Sequence, residues 1–479
     1  MSDTSVRRVL VVGGGVTGLT VAFRLATAGV AVDLCEAAPR FGGSVLTVRE
    51  DGFVFDGGPD AFVAQKPQVK DLAKDLGIAD RLIETRPESR GIYFLKGGKL
   101  HRLPEGVVLA VPTRFWPLMS SPLFSKLGVA RMGLDVLLPR RKADPAADES
   151  IASFLRRRLG QESVELFGEP LLAGIYSGDP NELSLQATFP QLAQLEAKYG
   201  SLVKGALAGR AAALASAPKG PPPSVFLSFR TGMGDLVDAL VERCRALGAS
   251  LEHDCAVVSL RRESIDGAAK FFATTQPPSG VPNERPHAYD HVVIASGAPV
   301  AARLLEPFDP EVSTLLRKIP HVSTAACQLA FRREDVPHPM DASGVLFLRR
   351  EGRDASALTF LNTKWPGRAP DGVALLRVFF GGYAHPEVKD KTDAELLEAA
   401  RVELRDVLGV TAEPLVAKAF RWNDCRPQPI LGHKERLTRV QQRLRDHGGL
   451  SLCGGPYDGV GLPDCVRQAN EVAAAILPR

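Results

Sequence analysis

No run of apolar residues in this 479-residue chain approaches the ~20 that a membrane-spanning helix needs. The seven cysteines are odd in number and include no CxxC pair. That argues against a disulfide scaffold or a structural zinc site and fits a reducing compartment. The nine histidines form no HxxxH on a plausible helix. His287 and His291 are four apart but flank a proline-rich turn and a strand start, so no metal site is expected. Net charge is also small. Lys plus Arg is 59 and Asp plus Glu is 55, and +4 over this length does not argue for nucleic acid. Residues 1–8 run directly into a strand and carry no secretory pattern, so a cytoplasmic location is expected.

What remains is ordinary globular composition, 45% apolar and 24% charged, at a length that suits two to four domains. The charge is uneven. Residues 86–160 hold 14 Lys/Arg against 6 Asp/Glu, a basic segment that could face acidic lipid or an acidic substrate. There is no internal repeat.

Val9–Val12 is a short apolar run, the pattern of a strand buried on both faces. Gly13-Gly14-Gly15-Val16-Thr17-Gly18 follows at once. Leu19 to Ala28 then reads as a helix with Leu19, Ala22, Phe23 and Ala26 on one face. A second strand, Ala31–Cys35, closes on Glu36. This is GxGxxG in strand–turn–helix context with an acid ending the next strand, the arrangement that binds a dinucleotide. Gly13 makes the turn, Gly15 admits a pyrophosphate, and Gly18 lets the helix pack. The helix N-terminus offers oriented N–H groups, and Glu36 offers a ribose acceptor. Ala37, Arg40, Gly42, Gly43 and Ser44 bring the chain past the cofactor again, with Arg40 adding charge near the pyrophosphate. Gly57, Gly58 and Pro59 follow a hairpin-like Thr47–Phe55. Phe229–Leu236 is a further glycine turn feeding a helix, and Cys255–Leu260, with Val257, and Asp290–Gly297 read as strands. Near the C-terminus, Leu450–Gly455 is a strand ending in Gly454 and Gly455. Val460, Gly461 and Leu462 then open a last helix with Pro463 in its first turn. That helix end would favour the negative charge of a reduced flavin, or it is simply an ordinary capped helix.

These dispersed pieces resemble the FAD-dependent amine oxidase-like superfamily, and more closely its protoporphyrinogen oxidase family. The selective strings are Phe167-Gly168-Glu169-Pro170-Leu171-Leu172-Ala173-Gly174-Ile175-Tyr176-Ser177-Gly178-Asp179-Pro180 and Trp422–His433, which carries Pro427-Gln428 and Gly432-His433. The resemblance covers essentially the whole chain and implies an α/β fold. A Rossmann-like FAD-binding domain would use 1–85, 225–300 and 430–479. A helical insertion would span 86–224. An α+β substrate domain with a mostly antiparallel sheet would span 301–429, with strands at Ala325–Phe331, Gly344–Leu348, Ala357–Leu361 and Val373–Phe380. Ala206–Ser224 and Gln276–Ala288 read as loops.

The resemblance further implies noncovalent FAD and a six-electron oxidation of protoporphyrinogen IX in three two-electron steps. Molecular oxygen would be the acceptor, giving hydrogen peroxide. Coproporphyrinogen III is the alternative substrate, and a carotenoid- or amine-type oxidoreductase or a non-catalytic FAD scaffold are rival readings. No catalytic side chain beyond the flavin is expected. Gly174, Gly344, Leu346 and Phe379 resemble positions that hold the macrocycle, although Leu346 and Phe379 in period-2 strands suit a core equally. The family's propionate arginine falls by position near Ile92, leaving Arg90 and Arg426 as candidates. Cys425 and Cys453 are conceivable flavin attachment points, which a noncovalent family argues against. Apolar residues from Gly106 to Leu137, including Phe115, Trp116 and Phe124 among basic residues, suit a patch on a membrane surface or an internally packed lobe. A homodimer is a further possibility.

Overall fold

The computed structural model of the protein describes residues 8–108, 110–141, 147–215 and 224–477. Its first strand, Arg8–Val12, lies in a five-stranded parallel sheet. The strand order is Ser250–Glu252, Ala31–Cys35, Arg8–Val12, His291–Ile294 and Leu450–Leu452. Alternation explains the continuous apolar run. Val9 and Val11 pack towards helices Val16–Thr27, Gly234–Ala246 and Leu462–Ile476. Leu10 and Val12 pack towards Ala298–Leu305, Pro310–Arg317 and His433–His447 on the other face. Parallel strands need long crossovers, so this one sheet gathers pieces from both ends of the chain.

A second sheet of seven strands has the order Val416–Pro427, His321–Arg332, Val373–Gly381, Ala355–Phe360, Gly344–Phe347, Tyr93–Lys96 and Lys99–Arg102. All its pairings are antiparallel except Gly344–Phe347 with Tyr93–Lys96. One face buries Val345, Phe347, Val378 and Phe380 with helix Asp393–Leu408. That helix begins with a reciprocal Thr392–Glu395 capping box.

The third body is helical. It includes Lys126–Gly133, Ile151–Leu159, Pro190–Tyr199 and Leu202–Ala215. Between them Val164–Ala173 winds as a wide π-type helix with Pro170 inside it and leads directly into Gly174. A proline lacks the N–H that a tight turn would use, and such wide turns cluster at functional sites. The lobe is pinned by Arg158 and Asp135, both 0% exposed and joined at 2.6 Å. Arg158 also donates to the carbonyls of Pro139 and Gly200.

Two expectations differ from this architecture. The mostly helical segment expected at 86–224 also contributes the Tyr93–Arg102 hairpin to the second sheet. Ala206–Ser224 is not all loop. Its alanine-rich half is the end of helix Leu202–Ala215, as alanine's helix propensity favours, and residues 216–223 lie outside the described residues.

Candidate active site

The first glycine turn separates glycines the fold requires from one it does not. A Cβ on Gly18 would lie 1.9 Å from the Gly13 carbonyl oxygen, and one on Gly13, at φ +109°, would lie 2.9 Å from that of Ala295. Both are needed for the helix to sit on the strand. Gly15 has φ −70° and ψ 176°, open to any residue, and a Cβ there would meet nothing closer than the Gly43 Cα at 3.9 Å. The protein's own packing gives no reason for glycine at 15, so the space it keeps belongs to a bound group. Gly15 also N-caps helix Val16–Thr27 without any side-chain cap, leaving the helix N-terminus to an external acceptor. Val16 and Thr17 are buried behind it.

Glu36 accepts from the Gly14 N–H at 2.6 Å and from the Ala38 N–H at 2.8 Å, one on each oxygen. Each oxygen keeps a lone pair for a ribose hydroxyl. Ala37 is exposed beside it. Gly42 donates to the Gly14 carbonyl at 2.8 Å, so the second glycine pair lies against the first, while Gly43 and Ser44 stay exposed. Arg40 spends its donors on the carbonyls of Phe41, Gly43 and Val45 and lies over the Trp422 ring, bracing this loop. Val257 is buried next to a bulge.

Gly57 and Gly58 lie where the loop around Ser44 meets the second sheet. A Cβ on Gly57 would strike the Phe420 ring at 2.4 Å, and one on Gly58 the Ser44 carbonyl at 1.7 Å. Their carbonyls accept from Arg377 at 3.3 and 2.6 Å, and Trp422 also donates to Gly57. Pro59 is half-buried next to them. Asp60 is bound by Lys364 at 2.7 Å and Trp365 at 2.8 Å. Burial works against its charge, but Lys364 and Arg377 outweigh it and hold the carboxyl below the usual range. Asp56, paired with Arg368 at 3.2 Å, is pushed up by burial. Within Asp56–Asp60 the sequence pointed to Gly57, Gly58 and Pro59 and gave the carboxylates no role. Those two carboxylates and the lone arginine in the apolar strand Val373–Gly381 were the signal for this buried ion cluster.

At the C-terminal end, Gly455 is also open, its Cβ position 3.9 Å from the Val460 Cα. Gly454, at φ +127°, donates to Gln468. Helix Leu462–Ile476 starts at Gly461 with no side-chain cap. One pocket joins Tyr176, Pro427, Pro429, His433 and Gly455–Val460, bringing the selective strings together. Burial holds the His433 ring down to about 4, so it is neutral at pH 7. Cys453 is fully buried in the parallel-sheet core, and Cys425 is exposed with its thiol on the Asn423 carbonyl. His291 is tied to Ser451.

Among the substrate candidates, Leu346 and Phe379 face away from the packed core of their sheet. The register sets Leu346, Ala357, Phe379, Ala326 and Phe420 in one row across five strands. Residues directly opposite share a face, with small Ala357 and Ala326 between larger side chains; Ala326 and Phe420 at one end are buried. Leu346 and Phe379 are both half-buried. Leu346 meets the helical lobe, and Arg377 lies 4.4 Å over the Phe379 ring. Gly344 does not share this role. It is buried, and a Cβ would meet the Leu358 carbonyl at 2.0 Å, so strand pairing alone requires glycine there. Gly174 is exposed with nothing within 4 Å of its Cβ position, and Arg426 donates to the neighbouring Ile175 carbonyl at 2.7 Å. Among the described residues Arg426 forms no ion pair, and burial and Arg377 lower its pKa. Arg90 is exposed, with its carbonyl bonded by Arg102, beside the start of the Gly344 strand.

The sequence matches the flavin containing amine oxidoreductase family over residues 16–477. The chain belongs to that family. It is 34% identical to the coproporphyrinogen III oxidase of Propionibacterium freudenreichii subsp. freudenreichii, covering 99% of this chain and 92% of that one. It is 29% identical to the chloroplastic protoporphyrinogen oxidase of Nicotiana tabacum, covering 98% and 85%. A solved structure from Exiguobacterium sp. 255-15 matches with TM-score 0.83 and 31% identity, covering 99% of each chain. The protein is an FAD-dependent oxidoreductase. The two open glycines, the two uncapped helix N-termini and Glu36 fit that cofactor.

Proposed function

We propose that the protein oxidises a porphyrinogen to the porphyrin. The observation that carries this reading is the row Leu346–Ala357–Phe379–Ala326–Phe420, which runs from the helical lobe to Gly57 and is bordered by Arg426, a guanidinium with no acidic partner among the described residues. A flat, apolar macrocycle with propionates suits an apolar face with a cation at one margin. When bound, FAD supplies the two-electron acceptor used three times, with molecular oxygen as the terminal oxidant giving hydrogen peroxide. The chain's own part is to orient and to exclude water. Leu346 and Phe379 present faces to the ring, Gly174 permits close backbone approach, and Arg426 meets a carboxylate. Protoporphyrinogen IX is the substrate expected from the sequence. The 34% identity to a coproporphyrinogen III oxidase favours coproporphyrinogen III as the second reading.

Among the described residues no helix is long and apolar enough to cross a membrane. A peripheral contact is supported by the lobe's outer surface, where Trp116, Leu127 and Leu137 are 79%, 84% and 78% exposed near Lys126 and Arg140. Phe124, Leu118 and Met132 of the same segment pack inward, and Leu109 and Lys142 lie outside the described residues. The reading of the site is tested by following porphyrin fluorescence with each porphyrinogen for wild type and Arg426→Ala. The variant is expected to raise KM roughly 10–150-fold, the ~1.5–3 kcal/mol of a charge-assisted bond. Unchanged KM for both substrates removes Arg426 from the site.

A further inference from the structure

Two thiols meet directly behind the ribose-binding glutamate. Cys35 ends the strand Ala31–Cys35 opposite Glu252, and the chain from Glu252 turns back so that the Cys255 N–H donates to the Glu36 carbonyl at 2.8 Å. Cys35 and Cys255 lie in the same buried cluster, and Arg285 donates to the Cys255 sulfur at 3.7 Å. Cys35 is 1% exposed and Cys255 8%. Arg285, Glu252 and Thr275, which surround Cys255, also line an open surface pocket of about 490 Å³ that a molecule as small as a peroxide can enter.

We propose that Cys35 and Cys255 are a peroxide-oxidisable pair that closes to an intramolecular disulfide beside Glu36. The neighbouring Cys35 thiol first, then the Arg285 guanidinium at its sulfur, outweigh burial and Glu252 and lower the Cys255 thiol, while the more deeply buried Cys35 is held up as the proton donor. Cys255 is therefore the attacking thiolate. Its sulfur attacks hydrogen peroxide, forming an S–O bond and breaking O–O, and the departing hydroxide takes a proton to become water. The Cys35 sulfur then attacks the Cys255 sulfenic acid. An S–S bond forms, S–O breaks, and the oxygen leaves as water with the Cys35 proton. Two thiols and one peroxide give one disulfide and two waters. The oxidant is a hydroperoxide of the kind the proposed oxidation releases, and for that source the inference rests on that reading.

Holoprotein treated with one and with ten equivalents of hydrogen peroxide, then blocked with N-ethylmaleimide in denaturant and digested with trypsin, tests this. Peptides 25–40 and 246–261 each hold one cysteine. They are expected as a cross-linked pair that dithiothreitol separates, with two of the seven thiols lost. Cys35→Ser should instead leave a sulfenic acid on Cys255 that dimedone traps, and Cys255→Ser should leave Cys35 alkylated. Recovery of both as alkylated peptides while the exposed Cys425 is oxidised overturns the proposal. Peroxide is added directly, so a protein that cross-links but turns over no porphyrinogen contradicts only the proposed function.

Discussion

Replacing Gly15 separates what the fold needs from what the cofactor needs. Its φ of −70° and ψ of 176° suit alanine, and the new Cβ would sit 3.9 Å from the Gly43 Cα, an ordinary contact. Restricting the unfolded chain gains about 0.4–1 kcal/mol. Alanine is a poorer N-cap than glycine by about 0.5–1 kcal/mol, so the two nearly cancel. Gly15→Ala should therefore leave apoprotein melting within about 2 °C of wild type. The same methyl enters the space left for the pyrophosphate. Overpacking of that kind costs about 1–3 kcal/mol, or roughly 5–150-fold in FAD affinity. Gly18→Ala is the contrast, because its Cβ falls 1.9 Å from a backbone oxygen and must lower apoprotein stability first. Flavin fluorescence titration and apoprotein melting read the two effects apart. A Gly15→Ala protein that binds FAD as wild type does, or whose apoprotein melts as low as Gly18→Ala, refutes the reasoning.

Phe379→Ala and Leu346→Ala should each raise porphyrinogen KM about tenfold, from roughly 1.5 kcal/mol of lost apolar contact, with an unchanged flavin spectrum. Joint loss of FAD and stability would instead mark both as core. Asp135→Ala should destabilise the helical lobe by up to about 3–5 kcal/mol, because it takes the nearer carboxylate from the fully buried Arg158 guanidinium and leaves only Glu196 at 3.5 Å. Chemical denaturation measures this, and a change below about 1 kcal/mol contradicts it. Wild type should float with anionic liposomes at low salt, each lobe cation contributing on the order of 1 kcal/mol, and Trp116→Ser/Leu127→Ser/Leu137→Ser should not. If wild type stays at the bottom with and without salt, the lobe surface is not a membrane contact.

The parts legible in the sequence were those that local geometry dictates. The Val9–Val12 run, the GxGxxG turn and the Ala31–Cys35 strand form one contiguous unit, and their boundaries fall within a few residues of the structure. Four strands of the second sheet were readable from their apolar runs, but Val416–Pro427, half polar and charged, was not. Nor was the sheet's completion, because Tyr93–Lys96 arrives from a distant segment and pairs in parallel, which no local pattern encodes. Gly344 shows how a glycine misleads. Read as a ring clamp, it answers to the Leu358 carbonyl across the sheet. Arg377 stood out as the one charge in an apolar strand, but its partners, the Gly57 and Gly58 carbonyls, lie some 320 positions away in the chain. The Cys35–Cys255 contact joins positions far apart in the chain, and counting cysteines could not reveal it.

The most direct test of the account is anaerobic mixing of the FAD-bound protein with protoporphyrinogen IX and, separately, with coproporphyrinogen III, while flavin absorbance is followed. The account predicts rapid bleaching of the flavin band by at least one porphyrinogen. Porphyrin should form alongside it, and absorbance should return when oxygen is admitted. A flavin that stays oxidised with both porphyrinogens, in protein that still holds FAD, would contradict it.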